Sequence, residues 1–214
     1  MPEPHGERVR VYDEEGRAAG ALPRDEAKRS RLAVGAVNVL LANARGEVLL
    51  QRRPDDKENG GRWDKTVGGH VAEGEDFDAA AVREAGEELF GDPASPRVRL
   101  AGDRGEYERL LATTDLAGNV VFRRVAVQLN LRDVRVVPGG AGLRNVIYHV
   151  ATYLGRTDVP LGGFRPPPDE IAGLRYARSA EVDGLLVRGE LAPNMAFLWL
   201  SQAGALLAPG DAGS

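Results

Sequence analysis

Between Phe77 and Leu89 two periodic patterns share one stretch of chain. Phe77, Ala81, Ala85 and Leu89 recur every four residues, the spacing of the buried stripe of a helix. Glu84, Glu87 and Glu88 stand three and four apart, so they share a face of the same helix. Carboxylates crowded in this way repel one another and cost stability. A bound cation removes that repulsion, and hard oxygen donors suit Mg²⁺ or Mn²⁺ better than a soft metal. A solvated acidic helix, with Arg83 paired to Glu87, is the plain structural alternative. It accounts for the glutamates but not for the ordered Gly69, Glu75 and Arg83 before them. Gly86, inside the helix, costs roughly 1 kcal/mol relative to alanine and points to close packing there.

The rest of the chain narrows the choice. Its 214 residues suffice for one domain with a sizeable core, expected over residues 1–208. A hydrophobic fraction of 43% and a charged fraction of 28% are ordinary for a globular protein. The net charge of −4 gives no broad attraction for nucleic acid or anionic membranes, so neither is expected as a partner. There is no cysteine, which excludes disulfides, thiolate metal sites and a thiol nucleophile. No apolar run approaches a membrane span, and residues 1–7 lack an apolar signal core. The expected compartment is the cytoplasm.

Alternation and turn residues predict the remaining elements. Residues 8–22 read as a hairpin turning at Glu14-Glu15-Gly16, with a short polar helix over 25–31. Together these form an N-terminal extension, 8–31. Val34–Ala42 reads as a buried strand and Glu47–Arg53 as the next, joined by a turn at 43–46. A short strand over Trp63–Val67 leads into a glycine turn at Gly68 and Gly69. Residues 92–145 read as an insert, with strand-like runs over 97–137 and a flexible break at 139–142. It serves either the pocket or a homodimer interface. Strands are expected at 146–154 and 171–176, Ser179 as a helix N-cap, and a last helix from Pro193. Phe197, Leu198, Leu200 and Leu206 are its candidate packing residues. Residues 209–214 are expected to be a disordered tail. This mixture predicts an α/β (α+β) domain with helices against a mixed sheet.

The stretch 69–91 resembles the Nudix box: Gly, five residues, Glu, seven residues, Arg-Glu, an apolar residue, any residue, Glu-Glu, any residue, Gly, apolar. Gly69, Glu75, Arg83, Glu84, Ala85, Glu87 and Glu88 stand at the matching offsets. Phe90 replaces the final glycine, and Gly91 follows one place later, where it can still end the helix. The resemblance implies an α/β/α sandwich with a mixed sheet. It also implies metal-dependent hydrolysis of the diphosphate linkage in a nucleoside diphosphate derivative or similar small molecule. Glu84, Glu87 and Glu88 match the family's metal ligands, Glu75 the glutamate that supports the cluster, and Arg83 the ion-pairing arginine. Glu87, Glu88 and Arg83 therefore also count as candidate catalytic residues. Glu170, or Asp169 as fallback, is the candidate base outside the box.

Arg52, Arg53 and Lys65 are candidate phosphate-binding residues beside Gly69, since arginine matches phosphate oxygens best. Strand alternation lets only one of the two arginines face the site easily. A solvated strand edge is the alternative for each. Trp63 is a candidate stacking residue or core residue. Further matches at 10–20, 47–54, 62–66 and 69–70 resemble the branch that contains isopentenyl-diphosphate isomerase. Isomerase activity itself is disfavoured. That chemistry needs a cysteine where this chain has Gly68, and histidines upstream of the box where none lies between His5 and His70. A non-catalytic nucleotide-binding domain is the second alternative, and the complete set of Arg83, Glu84, Glu87 and Glu88 argues against it.

Overall fold

The computed structural model describes residues 7–136 and 143–207, with side chains at 134–136, 143 and 144 excepted. The chain groups into two compact units, residues 1–38, 68–81 and 125–152 in the first and 39–67, 82–124 and 153–214 in the second. The break expected at 139–142 and the tail at 209–214 lie outside the described residues.

In the first unit, strands β1 (Arg8–Tyr12) and β2 (Ala18–Pro23) form the expected antiparallel hairpin. Asp13 organises its turn, accepting the amides of Glu15 and Arg17 on one carboxylate oxygen. The following helix α1 is shorter than the 25–31 expected, Arg24–Ala27, with Ala27 its one buried residue, and turn hydrogen bonds carry the chain on to Ser30. Strand β3 (Ala33–Ala42) begins beside β1, with Val11 opposite Val34. Val9, Val11, Ala27, Val34, Val146 and Val150 are the heart of the apolar core here.

Strand β4 (Val48–Arg52) follows the expected turn at 43–46 and begins the core of the second unit. The strand expected over 63–67 is instead two. Strand β5 (Trp63–Asp64) pairs with β4, and β6 (Val67–His70) pairs with β3. The break falls at Thr66, whose hydroxyl donates to Leu49 O and accepts the Leu41 amide, at 2.6 and 2.9 Å. A side chain thus serves backbone groups that a regular ladder would serve. Gly68 and Gly69 are strand residues of β6 rather than a turn; the left-handed glycine comes later, at Gly74.

Helix α2 spans Phe77–Phe90, with Ala81, Ala85 and Leu89 fully buried as the four-residue spacing predicts. Gly91 ends it with φ +67°, its amide bonded to Glu87 O. Gly86 is there because nothing larger fits: a Cβ would lie 2.3 Å from Asp92 O. Residues 92–136 contain β7 (Val98–Ala101), helix α3 (Arg104–Thr113) and β8 (Val120–Val136). The helix replaces a run expected to be strand. Its N-cap is Asp103, which accepts the Glu106 amide, and none of its residues is buried.

Strand β9 (Leu143–Thr157) follows, then β10 (Gly173–Ala177), α4 (Ser179–Val187) and α5 (Pro193–Leu207). Ser179 is the first helical residue, not the cap; Glu181 accepts the Arg178 amide in its place. On α5 Met195, Leu198, Trp199 and Leu206 are buried, while Phe197 and Leu200 remain exposed. The strands follow the hydrogen-bonded order β10-β4-β3-β9-β8-β7. β7 and β8 pair parallel, whereas β4 pairs antiparallel with β3, β5 and β10. The result is the mixed-sheet α/β fold that the sequence predicts.

Candidate active site

The last three residues of β4 and its neighbours organise the polar centre of the second unit. Gln51 lies opposite Asp64 on β5 and opposite Leu174 on β10, so these three side chains share one side of the sheet. Gln51 is 3% exposed, and its amide donates to Glu88 Oε2 at 3.3 Å. That fixes which side of β4 the acidic face of α2 covers.

On α2, Glu84 and Glu88 are buried and stand one turn apart, with Glu87 partly exposed on the same face. The Arg83 guanidinium bridges Glu84 and Glu87, 3.0 Å from each. The expected pairing of Arg83 with Glu87 is therefore present, and Glu84 joins it. Carboxylates taken out of water in this way are costly unless positive charge or hydrogen bonds meet them.

Beside this face lies a second charged group. Asp64 is 1% exposed; Arg53 approaches it at 3.1 Å and Lys65 at 3.3 Å. The Lys65 amide also donates to Asp64. Two of the three cations expected to hold phosphate, Arg53 and Lys65, are thus anchored on Asp64, and Lys65 is buried with it. Arg53 keeps about a third of its side chain exposed and stands on the Gln51 side. Arg52 does not. It pairs across strands with Trp63 and lies on the opposite side of β4.

The remaining candidates fall elsewhere. Gly69 and Glu75 belong to the first unit, where Glu75 accepts the Ala72 amide and its carbonyl accepts from Arg10. Glu170 sits in an exposed turn before β10, not at the strand's start, with its amide bonded to Pro167 O. Asp169 is exposed in the same turn. Gln51 and Asp64 are the polar residues that the sequence reading omits. The alternation that sets Arg52 against Arg53 would also have found Gln51, two residues from Arg53.

Among the described residues, no three His, Asp or Glu side chains converge closely enough to hold an ion as they stand. The donor set nevertheless suits a hard cation. Glu84, Glu87 and Glu88 supply only oxygen, two of them are buried, and Gln51 already orients Glu88.

A NUDIX domain matches residues 32–196. The chain is 39% identical over 84 residues to an uncharacterized Nudix hydrolase of Pseudomonas aeruginosa, covering 39% of this chain and 50% of that protein. It is 43% identical over 83 residues to an isopentenyl-diphosphate Delta-isomerase of Nocardia farcinica, covering 38% and 47%. The match thus spans about half the length of these curated relatives. A crystal structure of a Deinococcus radiodurans protein aligns over 91% of this chain and 98% of its own, with a TM-score of 0.62 at 23% identity, a likeness of fold. With the matched domain covering most of its length, the chain belongs to the Nudix family.

Proposed function

We propose that this protein is a metal-dependent Nudix hydrolase that cleaves the diphosphate linkage of a small molecule, most simply a nucleoside diphosphate derivative. The observation that carries the reading is the paired burial of Glu84 and Glu88 on one face of α2, with Gln51 bonded to Glu88. Glu84, Glu87 and Glu88 would hold Mg²⁺ or Mn²⁺. When bound, such an ion neutralises phosphate oxygens and makes water a better nucleophile. The chain's own side chains do the rest. Gln51 keeps one carboxylate of the set turned to the face. Arg83 holds Glu84 and Glu87 together and offsets their repulsion. Arg53, fixed by Asp64 and partly exposed, is the best placed cation for a phosphate oxygen. Glu170, exposed in its turn, is the candidate base.

The test is a panel of nucleoside diphosphate derivatives, capped dinucleotides and prenyl diphosphates, assayed with Mg²⁺ or Mn²⁺ and with excess chelator. Hydrolysis of at least one compound, lost in chelator and restored by the ion, is the expected result. Full activity in chelator would remove the metal from the reading, and no turnover of any compound would leave a binding domain. Glu170→Gln should lower kcat while leaving KM nearly unchanged if Glu170 acts in the transition state. Isopentenyl diphosphate should give no dimethylallyl isomer, because no thiol is present to move the proton.

A further inference from the structure

Arg52 shares its side of the sheet with Trp63 and Gly173, its cross-strand partners, and with Arg175 two residues further along β10. This is the side opposite Gln51 and Glu88. A cavity of about 450 Å³ opens here, lined by Arg52, Arg62, Trp63 and Glu190 among others. That is the size of a small-molecule site. Gly173 contributes no side chain, and a Cβ there would meet open space.

The charges in this cavity do not cancel. Arg62 donates to the carbonyls of Gly189 and Leu191, contacts that fix a guanidinium without neutralising it. Arg52 donates to Gly61 O at 3.3 Å, and Asp55, a largely exposed carboxylate, is 3.9 Å away. Next to this lining, and not part of it, the Arg175 guanidinium lies 4.3 Å above the Trp63 ring, and its Nε is buried without a hydrogen-bond partner among the described residues. The carboxylate of Glu190 is already engaged by Arg188 at 2.7 Å. What remains is an excess of positioned guanidinium donors around an aromatic ring. Planar guanidinium forks match phosphate oxygens, and a doubly charged group answers several cations better than a carboxylate does.

We propose that this cavity binds the phosphoryl group of a small molecule, at a site separate from the glutamates of α2. The proposal does not require hydrolysis at those glutamates. The experiment is calorimetric titration of the intact chain with orthophosphate, in chelator and without divalent cations, with acetate as the comparison anion. Saturable phosphate binding is expected, weakened about tenfold in Arg52→Gln through loss of a charge-assisted hydrogen bond, and unchanged in Glu88→Gln. The indole N–H resonance of Trp63 should shift during the titration while that of buried Trp199 stays. Arg62 also holds the 189–191 segment, so Arg52→Gln is the decisive variant. Absence of saturable binding would overturn the proposal. So would acetate binding equally well, Arg52→Gln behaving as wild type, or loss of binding in Glu88→Gln.

Discussion

The first unit buries a polar knot that resembles the acidic face of the second in burial and differs from it in chemistry. His149 is fully buried on β9. Its Nδ1 accepts the Asn130 amide at 3.0 Å, so its Nε2 carries the proton and donates to Asp13 O at 2.8 Å. Asn130 adopts φ +55° and donates to Glu14 O, which ties β8 to the hairpin turn. One tautomer satisfies both neighbours, and like charges are not brought together. On α2 the opposite holds: three glutamates share one face, two of them buried. The knot uses buried polarity to fix a shape. The acidic face gathers carboxylates, with Arg83 bridging Glu84 and Glu87 and Gln51 bonded to Glu88. Substitutions in the first should therefore cost stability, and substitutions in the second should cost rate.

The largest effect is expected where the second unit is itself structural. Asp64→Asn leaves Lys65 and Arg53 without their buried anion and should destabilise the chain by about 3–5 kcal/mol, measured by urea unfolding. If stability holds, the Asp64 group is not the anchor described above. Next comes Glu88→Gln, which keeps size and the bond to Gln51 but removes a charge. Turnover should fall about a hundredfold or more, roughly 3 kcal/mol, while the metal-free melting temperature stays level or rises. A melting temperature that drops with the rate would erase the contrast between the two regions. His149→Phe should do the reverse, costing about 1–3 kcal/mol of stability with kcat for a working substrate unchanged. The smallest effect concerns Tyr176, which donates to Val159 O at 2.7 Å. Burial, with the charge of Asp158 second, pushes its phenol up to about 12. Above about pH 10 the unfolded chain loses a proton that the folded chain keeps, so stability should fall as pH rises towards 12. Tyr176→Phe should flatten that part of the melting-temperature profile. Tyr12 and Tyr107, also raised chiefly by burial, would leave a residual slope.

Much of this was legible in the sequence where burial leaves a pattern. Strand β3 is apolar along nearly its whole length, and α2 announces itself through Ala81, Ala85 and Leu89. The acidic face follows from the same spacing. What escaped has little apolar signal. The break at Thr66 depends on a hydroxyl bridging Leu41 and Leu49, which no local propensity encodes. Gln51, a neutral amide in an apolar strand, gains its role only through Glu88, thirty-seven residues away. Lys65 looked available to a ligand because its partner is the residue beside it in sequence, and adjacency alone does not show that both are buried. The carboxylates of Glu106 and Glu108 serve α3 itself, Glu106 accepting the Gly102 amide and Glu108 pairing with Arg104.

That helix has a physical consequence of its own. With no fully buried residue, α3 relies in part on the Asp103 cap and on ion pairs of Arg104 with Glu108 and Arg109 with Glu106, at 2.8 and 3.5 Å, beside the half-buried Tyr107 under Arg123. Interactions of that kind weaken as dissolved salt shortens the reach of charge, from about 10 Å at 0.1 M to about 3 Å at 1 M. Apolar packing elsewhere is not weakened in this way. Ion pairs thus contribute to the order of α3, and amide exchange over 104–113 should quicken with added salt while β3 stays protected.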